Sequence, residues 1–188
     1  MFKSLVAKNR SYRRFDESQQ INKDTLTDII DIARICSSAA NMQGMRYRVV
    51  SDKINNKKVF DTLGWAGYLK EWNGPKEGER PTAYIVVLRD RFITDKLKID
   101  DGIVAQTITL AATEKGYGAC ILSNCKWKEL FKSLELSEEK FAFSCVIALG
   151  VPSEIVLLED VINGDIKYYR DEMEIHHVPK RSLEDLLV

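Results

Sequence analysis

Ala83-Tyr84-Ile85-Val86-Val87-Leu88 is an almost unbroken apolar run. A strand with one wet face would show a polar residue at every second position, so this run reads as a strand buried on both faces and central in a sheet. Phe143 to Leu149 repeats the pattern and is closed by Gly150 and Pro152, which makes a second buried strand. Tyr47, Val49 and Val50 read as a third. Between the two buried runs, Asp100 to Lys115 is apolar around most of a helical circumference, as expected of a buried helix that ends at Gly116. Leu26, Ile29, Ile30, Ala33 and Cys36 recur at helical spacing behind a candidate cap at Asn22.

Shorter helices are expected over Phe2 to Lys8, from about Asn56 to Leu63, over Lys126 to Leu134, and briefly after a Ser137 cap. Beyond Pro152 the signals weaken: Ile155 to Leu158, an Asn163-Gly164 turn, Ile166 to Tyr169, and Ser182-Leu183-Glu184-Asp185 in the form of a capped turn. No repeat, low-complexity tract or Gly/Ser linker divides the 188 residues, so residues 1–188 read as a single domain.

Lysine and arginine total 28, and so do aspartate and glutamate, so no net field argues for nucleic acid or an acidic membrane. The apolar runs are far shorter than the ~20 residues that span a bilayer. Cys36, Cys120, Cys125 and Cys145 form no CxxC pair and no secretory leader opens the chain, which together predict a soluble protein of the reduced cytoplasm. Cys120 and Cys125 accordingly read as free thiols rather than a redox pair. His176 and His177 are adjacent, so in a strand they face opposite ways and cannot readily share a metal; both read as surface or subunit contacts. Asp100-Asp101 reads as a helix-start cap. No metal site is expected.

Three separated stretches carry polar residues that a fold alone does not require. Asn9-Arg10-Ser11-Tyr12-Arg13-Arg14-Phe15 alternates so that Ser11 and Arg13 converge on one side while Tyr12 and Phe15 anchor the segment. Paired guanidinium donors suit a phosphate, and Arg14 falls to the surface. A solvated basic run is the other reading of the segment alone. Ser38, Asn41 and Gln43 supply hydroxyl and amide groups able to read a heterocycle or a ribityl chain, although Ser37-Ser38-Ala39-Ala40-Asn41 also suits an ordinary helix ending. Lys180-Arg181 is the third stretch. Trp65 to Pro81 mixes aromatics with glycine and proline, forming a loop that lids a pocket or covers a partner, with Trp65 and Trp72 read as interface or core anchors.

Taken in order, these marks resemble the nitroreductase family of flavin-dependent oxidoreductases over essentially the whole chain. Asn9 to Phe15 matches Arg-Arg-Ser-x-Arg-x-Phe with its first arginine missing, and Ser38, Asn41 and Gln43 match Ser-x-x-Asn-x-Gln-Pro-Trp with Gly44-Met45 in place of Pro-Trp. Asp100, Gly102 and Gly116-Tyr117-Gly118-Ala119-Cys120 resemble the family's central helix and following turn. Ala148-Leu149-Gly150-Val151-Pro152 and Lys180-Arg181-Ser182-Leu183-Glu184 resemble its closing strand and basic end.

The resemblance implies an α+β, three-layer fold: a central, mostly antiparallel sheet flanked by helices, with a C-terminal extension embracing a second subunit of a homodimer. It implies non-covalent FMN, with Arg10, Ser11, Arg13 and Lys180 or Arg181 around the phosphate and the polar end of the ring. Ser38, Asn41 and Gln43 line the ribityl and ring edge, from their own or the neighbouring subunit, and main chain at Leu122 and Ser123 lies along the ring near N5. The implied reaction is a ping-pong hydride transfer from NADH or NADPH through N5 to a small electron acceptor such as a nitroaromatic or quinone. No residue beyond the flavin is assigned a catalytic role. Flavin-dependent dehydrogenation, reductive removal of a substituent, and a flavin-holding or sensing protein without turnover are the alternatives.

Overall fold

The computed structural model describes residues 1–94 and 99–188. In chain order its elements are α1 (Phe2–Lys8), α2 (Lys23–Arg34), β1 (Met45–Val50), α3 (Lys53–Phe60), β2 (Ala83–Asp90), α4 (Ile99–Glu114), β3 (Gly118–Leu122), α5 (Trp127–Ser133), β4 (Phe141–Gly150), β5 (Val156–Asp160), β6 (Tyr169–Arg170) and β7 (His176–Lys180). The larger sheet has the order β1-β2-β4-β3 with every neighbouring pair antiparallel. The two unbroken apolar runs are its inner strands, and all eight residues of β2 are buried.

Alternation along β2 divides the core into two. Ile85 and Val87 pack with Leu26 and Ile29 of α2 and Ile108 and Ala112 of α4, while Tyr84, Val86 and Leu88 pack with Val59 of α3, Leu130 and Phe131 of α5, and Trp65. Each such aliphatic side chain, fully withdrawn from water, contributes about 1.5–3 kcal/mol before entropy is counted. Helices therefore cover both faces, giving the three-layer α+β arrangement expected. Trp65 sits in the second cluster with Trp72 packed against it, so the Trp65 to Pro81 loop is anchored on the core by those rings.

Local signals account for the element ends. Asn22 Oδ1 accepts from Thr25 N at 2.7 Å and starts α2. Gly116, at φ +85°, lets Tyr117 N reach Ala112 O at 2.9 Å and close α4 with a six-to-one bond. Two expectations shift. α3 begins at Lys53 because Asp52 caps it through Asn55 N at 2.9 Å, and it stops before Leu63, whose backbone bridges Cys125 instead. After Ser137 there is a turn and no helix, since β4 takes over at Phe141.

The C-terminal part forms a second sheet of order β5-β7-β6. Asn163 and Gly164 turn the chain with positive φ as their dipeptide predicts, but β5 pairs in parallel with β7 rather than with the residues after the turn. The parallel register places His176 opposite Val156 with only 1 % of its surface exposed. Ser182 and Asp185 exchange hydrogen bonds across the last turn, as their spacing foretold. No helix among the described residues is long and apolar enough to cross a membrane.

Candidate functional site

The segment from Asn9 to Phe15 runs along the outer edge of β3. Tyr12 N donates to Ala119 O at 3.0 Å, Phe15 N to Glu79 O at 3.0 Å, and Asp16 N to Val151 O at 2.8 Å. Phe15 is wholly buried. Room for it comes from Gly150, and room for Tyr12 from Gly118, which faces Gly150 across the β3–β4 ladder. A Cβ on Gly150 would come within 2.8 Å of the Phe15 ring, and one on Gly118 within 2.9 Å of the Tyr12 ring. Two aromatic anchors seated on two glycines hold the basic segment in place.

Glu154 fastens its backbone. Its carboxylate, 2 % exposed, takes 3.0 Å from Arg170 Nη2 and accepts the amides of Arg13 and Arg14, the latter at 3.1 Å. With those amides occupied, the side chains of Arg13 and Arg14 diverge. Arg14 meets Glu174 at 2.6 Å and Glu79 at 3.5 Å beside the Trp72 ring, so it is enclosed in an ion-pair cluster rather than lying free on the surface as expected. Arg13 turns the other way.

On that side lies a cavity of about 580 Å³, within the range of small-molecule sites, lined by Arg10, Ser11, Arg13 and Lys180 together with apolar side chains from α1, α4 and β3. Arg10 donates to Val6 O at 2.7 Å, and burial pulls its pKa down. The Nε atoms of Arg10 and Arg13 are buried with no hydrogen-bond partner among the described residues. Asn9, standing where the family pattern has arginine, also lines the cavity and ties the segment to α4 through Thr109 Oγ1 at 3.0 Å.

Of the remaining predicted residues, Lys180 lines the cavity and Arg181 is exposed outside it. Ser38 and Gln43 line a separate cavity of about 200 Å³ beside Asp100, so one chain does not bring them to the arginines. Asp100, 3 % exposed, accepts from Ser38 Oγ at 2.6 Å and Ala39 N at 3.0 Å, while Gln43 N donates back to Ser38 Oγ at 2.9 Å. The carboxylate thus fastens the loop. Ala40, Asn41 and Gln43 all have positive φ there, a costly backbone that such bonds must hold. Leu122 is buried against α5's face of the sheet and Ser123 is exposed, while their neighbour Ile121 lines the larger cavity.

Sequence reasoning missed His176 and Tyr168. His176 is buried in the cavity wall, not a surface contact, because β7 turns one of the two adjacent histidines inward. Its Nε2 lies 3.1 Å from Arg13 Nη1, and its ring is 5.2 Å from that of Tyr168, which also stacks under the Arg13 guanidinium at 4.8 Å. Burial first, then Arg13, Arg170, His177 and Arg14, push the His176 pKa down to about 4. His177 faces out, bonded to Asp171 and Glu159, which raise its pKa. The alternation rule applied to the pair signalled that one must face in; which one needed the register. No cluster of metal-ligating side chains occurs among the described residues. All four cysteines are free, and burial raises Cys120 and Cys145 to about 11, which leaves them as inert thiols.

The sequence model of the nitroreductase family matches residues 6–151, a span that carries the Arg10–Phe15 segment, both core strands and the Gly118–Gly150 pair. This chain belongs to the nitroreductase family. Among this chain's relatives is YodC of Bacillus subtilis (strain 168), provisionally named an NAD(P)H nitroreductase, which is 22 % identical over 172 residues, 74 % of this chain and 84 % of that one. A nitroreductase-type protein from Desulfovibrio desulfuricans, solved in complex with FMN, superposes with a TM-score of 0.71 at 21 % identity, covering 99 % of this chain and 94 % of that one. CLA-ER, an enone reductase of gut-bacterial fatty acid saturation, superposes with a TM-score of 0.67 at 17 % identity over 86 % of this chain and 92 % of its own. At these identities the superpositions establish a shared fold.

Proposed function

We propose that this member of the nitroreductase family is an FMN-dependent oxidoreductase that passes electrons from NADH or NADPH to a small electron-poor acceptor such as a nitroaromatic or a quinone. The observation that carries the reading is the convergence of Arg10, Arg13 and Lys180 on one cavity, with the Nε atoms of both arginines buried and unpaired among the described residues. Buried donors without partners are costly, and a phosphate dianion offers enough acceptors to satisfy them. Relatives named as NAD(P)H nitroreductases and a same-fold protein bound to FMN support the choice of cofactor and donor.

When bound, FMN supplies the two-electron chemistry, accepting hydride from a nicotinamide and releasing it to the acceptor. The chain's part is positional. Arg10, Ser11, Arg13 and Lys180 hold the phosphate; Glu154, Phe15 and Tyr12 keep that segment in place; Ile121, Leu110 and Val6 exclude water from the apolar wall. Main chain at Leu122 and Ser123, next to the cavity-lining Ile121, would lie beside the ring. Ser38, Asn41 and Gln43, none of which lines that cavity in their own chain, serve the site of a second subunit in a homodimer. The exposed apolar tail, with Leu183 at 71 % and Leu187 at 68 %, is the surface that the second subunit covers.

Purified protein is expected to be yellow or to take up added FMN. Anaerobic mixing with NADH or NADPH then bleaches the flavin on a turnover timescale, and quinone or nitroaromatic restores the colour. Protein that binds no FMN removes this reading; a bound flavin that stays oxidised points to a holding or sensing role instead.

A further inference from the structure

Among the described residues, His176 is the one buried titratable group in the cavity wall that phosphate binding by the cations leaves without a task. Its Nε2 faces Arg13 Nη1 at 3.1 Å, and since a guanidinium only donates, Nε2 accepts and the ring proton sits on Nδ1. Nδ1 is itself buried with no hydrogen-bond partner among the described residues. The same Arg13 Nη1 also donates to Ser11 O at 3.1 Å, and Tyr168 closes the cage beneath the guanidinium. The charged groups that act on the imidazole among the described residues are cationic: Arg13 and Arg14 from the N-terminal segment, Arg170 from β6 and His177 from β7 itself, with Lys180 further along the same wall. Glu154 is the nearby counter-charge, and it is already committed to Arg170 and the amides of Arg13 and Arg14.

We propose that His176 is a positioning residue that holds the Arg13 fork toward the cavity and takes up one proton from solvent when a phosphate dianion binds, so that phosphate binding and protonation of His176 are coupled. The inference rests on the FMN reading of the cavity. Before the anion arrives, a second positive charge beside Arg13 is strongly disfavoured, consistent with an imidazole pKa of about 4. A dianion against Arg10, Arg13 and Lys180 cancels most of that repulsion and gives Arg13 Nη1 a stronger acceptor than a neutral ring. Nε2 is then released to receive the proton. By linkage, a group that binds a proton more tightly in the complex makes the ligand bind more tightly as pH falls.

The test compares FMN with riboflavin, which lacks the phosphate, on the full-length protein freed of cofactor. Calorimetry at pH 5.5 to 6.5 in buffers of different ionisation enthalpy counts the protons. His176→Gln keeps an acceptor for Arg13 but cannot titrate, and His176→Leu keeps neither. Wild type is expected to take up as much as one proton more per FMN than His176→Gln, with no such difference for riboflavin. His176→Gln should bind FMN within about threefold of wild type at pH 8 and fall behind by up to about tenfold per pH unit through the acid range. His176→Leu should weaken FMN about tenfold even at pH 8 and leave riboflavin unchanged.

The chain has two histidines, so their imidazole signals can be followed by NMR in wild type if a variant fails to fold. FMN should raise the inward histidine's titration midpoint by more than two pH units from about 4, and riboflavin should not. FMN binding with the same proton count in wild type and His176→Gln, or an unmoved midpoint, overturns the coupling and leaves the flavin reading standing. Failure of wild type to bind FMN overturns both.

Discussion

Gly150→Ala isolates the packing that seats the basic segment. The added Cβ would lie 2.8 Å from Phe15 Cδ1 and 2.9 Å from Phe15 Cβ and Cγ, where carbon atoms settle at about 3.5–4.0 Å. Turning the ring relieves only part of this overlap, because Phe15 Cβ is fixed to its backbone. That backbone is in turn bonded to Glu79 and Val151 through Phe15 N and Asp16 N. Overpacking of this kind costs about 1–3 kcal/mol, and replacing a strand glycine by alanine returns roughly 0.5–1 kcal/mol in chain entropy. The expected net loss is about 1–2 kcal/mol, read as a lowered urea midpoint at unchanged slope.

Relief by a shift of the whole segment also moves Arg13 off its line, so FMN affinity, followed by flavin fluorescence, should fall about tenfold, the value of one charged hydrogen bond. Phe15→Leu in the same chain makes room, and the pair should show a favourable coupling above about 0.5 kcal/mol. Gly67→Ala, whose new Cβ meets nothing within 4 Å, is the control. A Gly150→Ala protein within 0.5 kcal/mol of wild type, with unaltered FMN affinity, would refute the claim that the segment is held by glycine-seated aromatics.

Arg13→Ala should weaken FMN retention on gel filtration more than Arg14→Ala, whereas Arg14→Ala should chiefly lower the urea midpoint by removing its ion pairs with Glu79 and Glu174 and its packing on Trp72; equal retention of flavin by both contradicts the alternation. Asp100→Ala, which leaves Ser38 Oγ and Ala39 N without their acceptor, should cost about 2–3 kcal/mol and speed amide exchange at Ala39 and Gln43; unchanged exchange there would show the loop held by something else. His176 has a folded-state pKa depressed to about 4 from 6.5, so the unfolded chain binds more protons between those values. Its contribution is present in full above pH 6.5 and is lost as pH falls toward 4, about 2 kcal/mol of it by pH 5. His176→Gln should flatten that part of the stability profile for the cofactor-free protein, and parallel profiles for the two proteins would contradict the burial argument.

The inner strands, α2, α4 and their caps were legible in the chain because each rests on near-neighbour physics: unbroken apolar runs, a helical apolar period, an Asn22 cap, a left-handed Gly116. The basic segment was legible as well, since alternation already separates Arg13 from Arg14. The sequence by itself therefore determined a sheet covered on both faces, a family, and a set of phosphate-binding candidates. Tertiary structure alone decided what meets what. Lys180 rather than Arg181 lines the cavity, and His176 rather than His177 turns inward, through the parallel β5–β7 register, which a hairpin signal at Asn163-Gly164 could not foretell. Arg14 found Glu174 across 160 residues of chain, and Ser38 found Asp100 across 62. Such partners are invisible to local pattern because burial and charge act through space, and only the packed fold sets those distances.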